Sequence, residues 1–420
     1  MSLKVAVIGG GSTYTPELIS GIARDPERLE VRELVLQDID PERREVVGGL
    51  ARRMLDGQGF AGRLEVTSDL DRALDGADVV VVQIRVGGQA ARLGDETIPL
   101  ACGCVGQETT GAGGFAKAMR TVPVVLSIAE RARELAAEDA WIVDFTNPVG
   151  IVTRALLDAG HRAVGLCNVA IGFQRAIARI TGVEPARVLV DQVGLNHLTW
   201  VRSVWVDGRD VLGELIEAHG DELAAHAGLR REVVDELGVI PSYYLRYFYM
   251  HDRVVEEQRE EEPRAEVVAR IERDLLRMYR DPLLAEKPAL LEQRGGAFYS
   301  EAATALIGSL VAGTGDVQVV DVRNGDALAG LQPDDVVELP ARIERRGPVP
   351  LPQPPLAPEL LGLVQHVGAY ERLTAAAAVT RDVRTARLAL LAHPLIGQWE
   401  IAGELLERLV LEEAPAEVTR

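Results

Sequence analysis

Val5-Ala6-Val7-Ile8-Gly9-Gly10-Gly11-Ser12-Thr13-Tyr14-Thr15-Pro16 is the stretch whose reading decides the fold of this 420-residue chain. A short β-branched run breaks into three glycines and then into a Ser/Thr/Pro segment that suits a helix start. Such a turn lets a pyrophosphate approach the backbone at a helix N-terminus. Tyr14 stands where the usual fingerprint has its third glycine. A second run, Leu34-Val35-Leu36-Gln37, closes on Asp38, which lies 29 residues after Gly9. A carboxylate there accepts the hydrogen bonds of an adenosine ribose and disfavours a 2′-phosphate. Gly9, Gly11, Ser12, Thr13 and Asp38 are therefore read as a cofactor site for NAD rather than NADP.

Working outward, short apolar runs alternate with longer helical patterns: Leu34 to Leu36, Val79 to Ile84, Trp141 to Phe145 and Ala163 to Leu166. That alternation predicts βαβ units and a parallel, Rossmann-type α/β sheet. Between Phe115 and Ala137 the apolar residues keep helical spacing, and Asn147-Pro148 ends the next strand in a loop, where open α/β sheets bind ligands. Beyond residue 166 the pattern loosens into mixed strands (Val188 to Val193, Trp200 to Val206, Val317 to Val322) and long helices. Two domains are expected: residues 1–166 as the NAD-binding unit and 167–420 as an α+β unit for metal, substrate and oligomerisation. Residues 256–273, dense in Glu and Arg, predict a solvated helix face. Residues 347–358 predict a polyproline-like connection, and the Ala-rich segment 370–392 a packed helix pair.

Composition limits the partners. A formal net charge of −19 and a pI near 4.9 argue against nucleic acid and anionic membrane surfaces, whose phosphates the summed field repels. An anionic substrate must then be held by a local group of arginines. Three cysteines do not make a disulfide framework, no apolar run approaches the roughly 20 residues of a membrane helix, and no signal peptide precedes the first strand. A reducing cytoplasm is the expected location.

Candidate chemistry clusters after the strands. The glycine-rich loop held by residues 102–121 predicts a close backbone approach to a ligand, with Cys102 and Cys104 read as buried thiols. Cys167 follows the run Ala163 to Leu166, and His197 follows Val188 to Val193 by a short loop. The spacing resembles no closed zinc finger, so a cation held by this pair would have two protein ligands and open positions, as catalysis needs. Tyr243, Tyr244, Tyr247, Phe248 and Tyr249 crowd into one segment of a chain with 4% aromatics, and one tyrosine there could serve as a general base. Arg85 and Arg92 bracket Val86-Gly87-Gly88-Gln89, and Arg294 precedes Gly295-Gly296, so both are candidate oxyanion or phosphate clamps.

These strings resemble glycoside hydrolase family 4, the NAD- and metal-dependent glycosidases, over essentially the whole chain. The likeness rests on Gly9-Gly10-Gly11-Ser12 with Tyr14-Thr15-Pro16, Arg85-Val86-Gly87-Gly88 with Arg92 and Asp95-Glu96, Gly106 to Gly114, Asn147-Pro148, Gly165-Leu166-Cys167-Asn168, Gly194-Leu195-Asn196-His197, Tyr244-Leu245-Arg246-Tyr247 and Arg294-Gly295-Gly296. Gln107-Glu108-Thr109-Thr110-Gly111 and the Tyr-Leu-Arg-Tyr string resemble the 6-phospho-β-glucosidase branch. Cys102-Gly103-Cys104 departs from the pattern, since relatives carry Tyr-Gly and an aliphatic residue there.

The resemblance implies a lactate/malate dehydrogenase-like architecture and a hydrolase of phosphorylated disaccharides or glucosides, forming a homodimer or homotetramer. It implies that Cys167 and His197 bind a divalent ion, usually manganese, that Asn147 and Asn168 touch the sugar, that Arg92 holds the 6-phosphate, and that Tyr244 is the base; Arg294 is read as a further substrate-binding residue. The implied route oxidises C3 of the sugar with NAD, removes the C2 proton, expels the aglycone from C1, adds water and returns the hydride, an exception to two-carboxylate hydrolysis. A 6-phospho-α-glucosidase or α-galactosidase of the same family is the alternative within it. A 2-hydroxy-acid dehydrogenase, needing no metal and consuming NAD, and a non-enzymatic NAD sensor are the alternatives outside it.

Overall fold

The computed structural model describes residues 2–24, 28–295 and 298–411. Its strands in chain order are β1 (Leu3–Ile8), β2 (Val31–Gln37), β3 (Arg63–Thr67), β4 (Val79–Val82), β5 (Trp141–Asp144), β6 (Ala163–Gly165), β7 (Val188–Leu195), β8 (Leu198–Val206), β9 (Arg209–Asp210), β10 (Ile240–Pro241), β11 (Val317–Arg323), β12 (Val336–Glu344) and β13 (Gly347–Pro350). The first six pair in parallel in the order β3-β2-β1-β4-β5-β6. That is the doubly wound order, whose direction reverses between β1 and β4 and opens a crevice at the carboxyl ends of the strands.

Local sequence explains these elements. All four valines of β4 are buried, and because successive side chains point to opposite faces, both faces of the sheet are covered. The helices α1 (Thr15–Arg24), α2 (Pro41–Gly57), α3 (Leu70–Leu74), α4 (Gly88–Ala101), α5 (Gly111–Leu135), α6 (Val149–Asp158) and α7 (Val169–Thr181) alternate with or follow these strands. Asp40 caps α2 by accepting the Arg43 N–H at 3.0 Å, with Pro41 preset for the first turn.

The sheet does not stop at β6. Asp321 of β11 pairs with Gly165, and the sheet continues antiparallel through β12, β7, β8 and β10, with β13 on β12 and β9 on β8. Thirteen strands of the described residues thus form one sheet. Residue 166, the expected boundary, directly follows β6, and the sheet runs on past it through β11. Buried acids carried by β11 and β12 consequently stand beside Cys167, the second residue after β6.

Several expectations need correction. The four residues 347–350, taken as part of a polyproline connection, form β13, which bonds β12 on one side only; an edge tolerates the missing N–H of proline. The charged segment 256–273 spans the ends of two helices, His251–Glu260 and Arg264–Tyr279, parted around Pro263. It is not uniformly solvated, because Glu272 is 5% exposed and paired with Arg43 and Arg294. Cys104 is buried as expected, but Cys102 is half-buried with the Arg408 guanidinium 3.5 Å from its sulfur. The Ala-rich helix pair is present as Pro358–Thr380 and Val383–Ala392. Among the described residues no helix is long and apolar enough to cross a membrane.

Candidate active site

The glycine turn leaves β1 at Gly9, whose φ is +87° and whose Cβ, if present, would lie 2.7 Å from the Gln83 carbonyl oxygen. Gly11 donates its N–H to Asp38 Oδ2 at 2.8 Å, and Asp40 donates to Oδ1 at 3.0 Å. Asp38 is thus held by backbone groups at the end of β2, with lone pairs remaining for a ribose. Ser12 donates its N–H to the Gly9 carbonyl, and the Thr13 carbonyl accepts the Tyr279 hydroxyl at 2.7 Å. Ile39, 86% exposed beside Asp38, offers an apolar shelf that the sequence reading had not singled out. Arg294 lies over the Tyr14 ring, 5.5 Å from its centroid, and donates to Glu272, which also meets the Thr13 hydroxyl. This brings Arg294 against the glycine turn. Gly296 of the Arg-Gly-Gly string lies outside the described residues.

The loop between α4 and α5 corrects one expectation. Two of its glycines serve the chain's own packing: a Cβ on Gly106 would lie 2.1 Å from the Glu96 carbonyl oxygen, and one on Gly113 2.3 Å from those of Asp95 and Gln107. At these positions the approaching group is the neighbouring helix and loop, whereas Gly111, with φ +65°, has nothing nearer than 3.8 Å. What the loop presents to the site is its polar run, Gln107 to Thr110.

Glu108 is the hub of that run. It receives Lys117 Nζ at 2.6 Å, both terminal nitrogens of Arg85, and Arg92 Nε at 3.3 Å. Burial alone would push its carboxyl up, yet Lys117, Arg85 and Arg92 hold it well below the usual range. Arg92 also donates to Glu96 Oε1 at 2.7 Å. Three cations against two carboxylates leave positive charge in a chain that is acidic as a whole, which suits an anionic ligand.

On the other side of the loop, β7 and β8 are joined by the two-residue turn Asn196-His197. His197 has φ +63°, a left-handed conformation uncommon outside glycine, and such outliers concentrate at functional sites. Its imidazole is pushed down to about 3 by burial and then by Lys117, so it is neutral and can act as a ligand. Tyr244 lies flat on this ring, with centroids 3.6 Å apart and planes within 8°. The Tyr244 hydroxyl is pushed well above its ordinary value by burial first, then by Cys167, Tyr247, Glu108 and Glu338. Cys167 is itself pushed well up by burial and by Glu338 and Asp321, while the Val169 N–H and the Asn196 amide favour its thiolate.

Cys167, His197 and Tyr244 therefore share one neighbourhood. Tyr299 joins it to the cofactor turn: its ring meets Tyr14 edge-on at 6.0 Å, and its hydroxyl is raised by burial, Cys167 and Tyr244. Asn147 sits in a cis Asn-Pro turn after β5, with its Oδ1 buried and without a partner, and Asn168 stands between Cys167 and the first residue of α7.

These residues fit the two groups the sequence suggests. Among the described residues no three His, Cys, Asp or Glu side chains converge as a closed metal cage. A cation here would take the buried sulfur and the neutral imidazole, leaving positions for ligand oxygens. The excess acid around Cys167 and the unpartnered Asn147 oxygen are the surroundings a divalent charge and a hydroxylated ligand would satisfy. Sequence reasoning missed Lys117, Thr109, Glu338, Asp321 and Tyr299. Glu108 and Thr109 lay inside a quoted string, but Glu338 and Asp321 come from strands whose neighbours only the sheet order reveals.

Comparison with known proteins extends along nearly the whole chain. Residues 4–183 match the family model "Family 4 glycosyl hydrolase" and residues 192–396 that family's C-terminal domain. A Bacillus subtilis (strain 168) protein named "Probable 6-phospho-beta-glucosidase" is 42% identical over 423 residues, covering 97% of this chain and 96% of its own. The Thermotoga maritima 6-phospho-beta glucosidase, solved with manganese, NAD+ and glucose-6-phosphate, superposes with a TM-score of 0.89 at 33% identity, covering 97% of this chain and 98% of that one. Malate dehydrogenase from Salinibacter ruber, at 16% identity, covering 90% of this chain and 98% of its own, has a TM-score of 0.56, a likeness of fold alone. The chain belongs to family 4 of the glycosyl hydrolases.

Proposed function

We propose that this chain hydrolyses 6-phospho-β-glucosides with the help of NAD and a divalent ion, manganese by preference. The observation that carries the reading is the stack of Tyr244 on His197 with Cys167 acting on the same hydroxyl, which puts a candidate base against two metal donors. The names of the Bacillus and Thermotoga relatives, and the manganese, NAD+ and glucose-6-phosphate bound in the latter, support it.

Bound there, NAD would supply a hydride acceptor and donor for the sugar, and a divalent ion on Cys167 and His197 would supply a Lewis acid beside it. The chain supplies the rest. Gly9, Gly11, Ser12 and Thr13 carry the pyrophosphate, and Asp38 takes the ribose. Cys167 and His197 hold the ion, with Asn147 and Asn168 on the sugar hydroxyls. Arg92 is the arm for the 6-phosphate, a group that a guanidinium binds in two places at once, and Arg294, set against the glycine turn, is a further substrate-binding candidate. Tyr244 removes the acidified C2 proton, after which the aglycone leaves from C1 and water adds. All the cofactor residues of this scheme lie within 1–166, which also lends Arg92 and Asn147 to the sugar phosphate, while both metal donors lie within 167–420.

Release of an aryl leaving group from a 6-phospho-β-glucoside, with and without NAD+, manganese and a thiol reductant, tests the reading. Turnover that needs all the additives but accumulates no NADH is expected. Cleavage of the α-anomer alone would transfer the chain to the α-glucosidase branch. Stoichiometric NADH from a 2-hydroxy acid, unaffected by chelation, would make it a dehydrogenase.

A further inference from the structure

His197 Nδ1 lies 2.9 Å from Thr109 Oγ1, and heavy-atom positions alone do not say which atom carries the proton. The neighbouring bonds do. The backbone N–H of Thr109 reaches one terminal atom of the Gln107 side chain at 2.5 Å, and a backbone N–H can only donate. That terminal atom is therefore the amide oxygen. The same oxygen lies 2.9 Å from Thr109 Oγ1, and an amide oxygen can only accept. With the one proton of the Thr109 hydroxyl given to Gln107, Thr109 meets His197 as an acceptor and the imidazole carries its proton on Nδ1.

We propose that Thr109, oriented by Gln107, is a positioning residue that locks His197 in the Nδ1–H tautomer and so keeps the Nε2 lone pair available for a divalent cation. The inference rests on the metal-binding role given to His197 above, and it concerns residues to which that role assigns nothing. Burial strengthens the lock. His197 is 6% exposed, so water does not compete freely for either ring nitrogen. A ligating histidine whose second nitrogen is held by a fixed acceptor has both its ring angle and its basicity set, and loss of such a partner costs about 10–100-fold in metal affinity.

The variants are Thr109→Val, which keeps the shape and removes the acceptor, Thr109→Ser, which restores it, and Gln107→Leu, which frees the hydroxyl proton to point at Nδ1. The first measurement is long-range ¹H–¹⁵N NMR of the metal-free protein labelled at histidine, with His197 assigned by its loss in His197→Gln. The Nδ1–H pattern is expected in the wild type and in Thr109→Ser, and a mixture or the opposite tautomer in Thr109→Val and Gln107→Leu. The second measurement is the manganese dissociation constant, read by electron paramagnetic resonance of the free ion without sugar. It should rise about 10–100-fold in Thr109→Val and return to within a few-fold of wild type in Thr109→Ser. A wild-type His197 protonated on Nε2, or a Thr109→Val protein binding manganese as tightly as wild type, would overturn the proposal. A wild type with the Nδ1–H pattern and no manganese affinity would instead sink the metal role of His197, leaving the tautomer assignment standing.

Discussion

Tyr243 and Tyr244 are neighbours in the chain with separate fates: their rings stand at 82°, Tyr243 is 44% exposed with its hydroxyl accepting from Arg246 at 2.6 Å, and Tyr244 lies on the His197 ring. The short 3₁₀ turn Tyr243–Leu245 produces the divergence, because three residues per turn send consecutive side chains about a third of a circle apart. Only Tyr244 of the two lies against His197, where the proposed site for the ion and the sugar would be.

Tyr244→Phe should therefore keep the fold and NAD binding while the rate falls by roughly 10²–10⁴, the usual contribution of a general base. Tyr243→Phe should cost much less. Turnover in heavy water should leave deuterium at C2 of the sugar, since the abstracted proton is replaced from solvent. Product without deuterium at C2 would refute the elimination route, whereas a Tyr243→Phe protein more damaged than Tyr244→Phe would move the base by one residue.

Arg92 leads to a second expectation. Replacing it by Ala removes a guanidinium from the group around Glu108, and the acidic field of the rest of the chain offers a phosphate no substitute. KM for a 6-phosphoglucoside should rise far more than KM for the unphosphorylated glucoside. Equal losses on both substrates would reduce Arg92 to a structural partner of Glu96 and shift the phosphate site toward Arg294.

Much of the cofactor half was legible because its determinants are local. The glycine turn, the β-branched runs of β1, β2, β4, β5 and β6, and Asp38 at a strand end all declare themselves within a few residues; alternation predicts a parallel sheet, and the order of its strands comes only from their pairing. β3 escaped because Arg63–Thr67 is an edge strand, half-exposed and charged, without an apolar run. In the other half, β12 brings Glu338 to Asn196 at 2.8 Å across 142 residues, and no periodicity encodes that meeting. The glycines from 106 to 114 misled for a physical reason, since the same absence of Cβ serves a ligand or a neighbouring backbone.

The acids behind the site give a pH dependence with a definite sign. Glu371 is pushed up from 4.5 to about 8, by burial first and by Asp335 and Glu338, against the opposing charge of Arg154. Between those two values the folded protein holds a proton that the unfolded chain has released. Stability contributed by this group is thus present below the unfolded value and lost as pH rises through the window, by at most about 1.4 kcal/mol per pH unit. Glu371→Gln has no proton to lose. Urea midpoints taken from pH 5 to 8 should show the variant gaining on the wild type as pH rises, and parallel curves would mean that Glu371 is ionised in the fold.

Cys167→Ser gives the sharpest expectation for the metal itself. Serine keeps the shape of the position but offers a neutral hydroxyl where the ligand would be a thiolate, so it removes a charge and a soft donor together. Binding of every divalent ion should weaken. The loss should be larger for zinc and cobalt than for manganese, because sulfur contributes more to the softer ions and manganese is content with oxygen. The buried acids at Glu338 and Asp321 remain in the variant, so a purely electrostatic attraction of cations to this end of the sheet would survive the change. Equal retention of manganese and zinc by Cys167→Ser, measured by equilibrium dialysis and elemental analysis, would show that those acids and not the sulfur hold the ion. Uniform loss of all three metals by the same factor would mean that the side chain supplies charge alone.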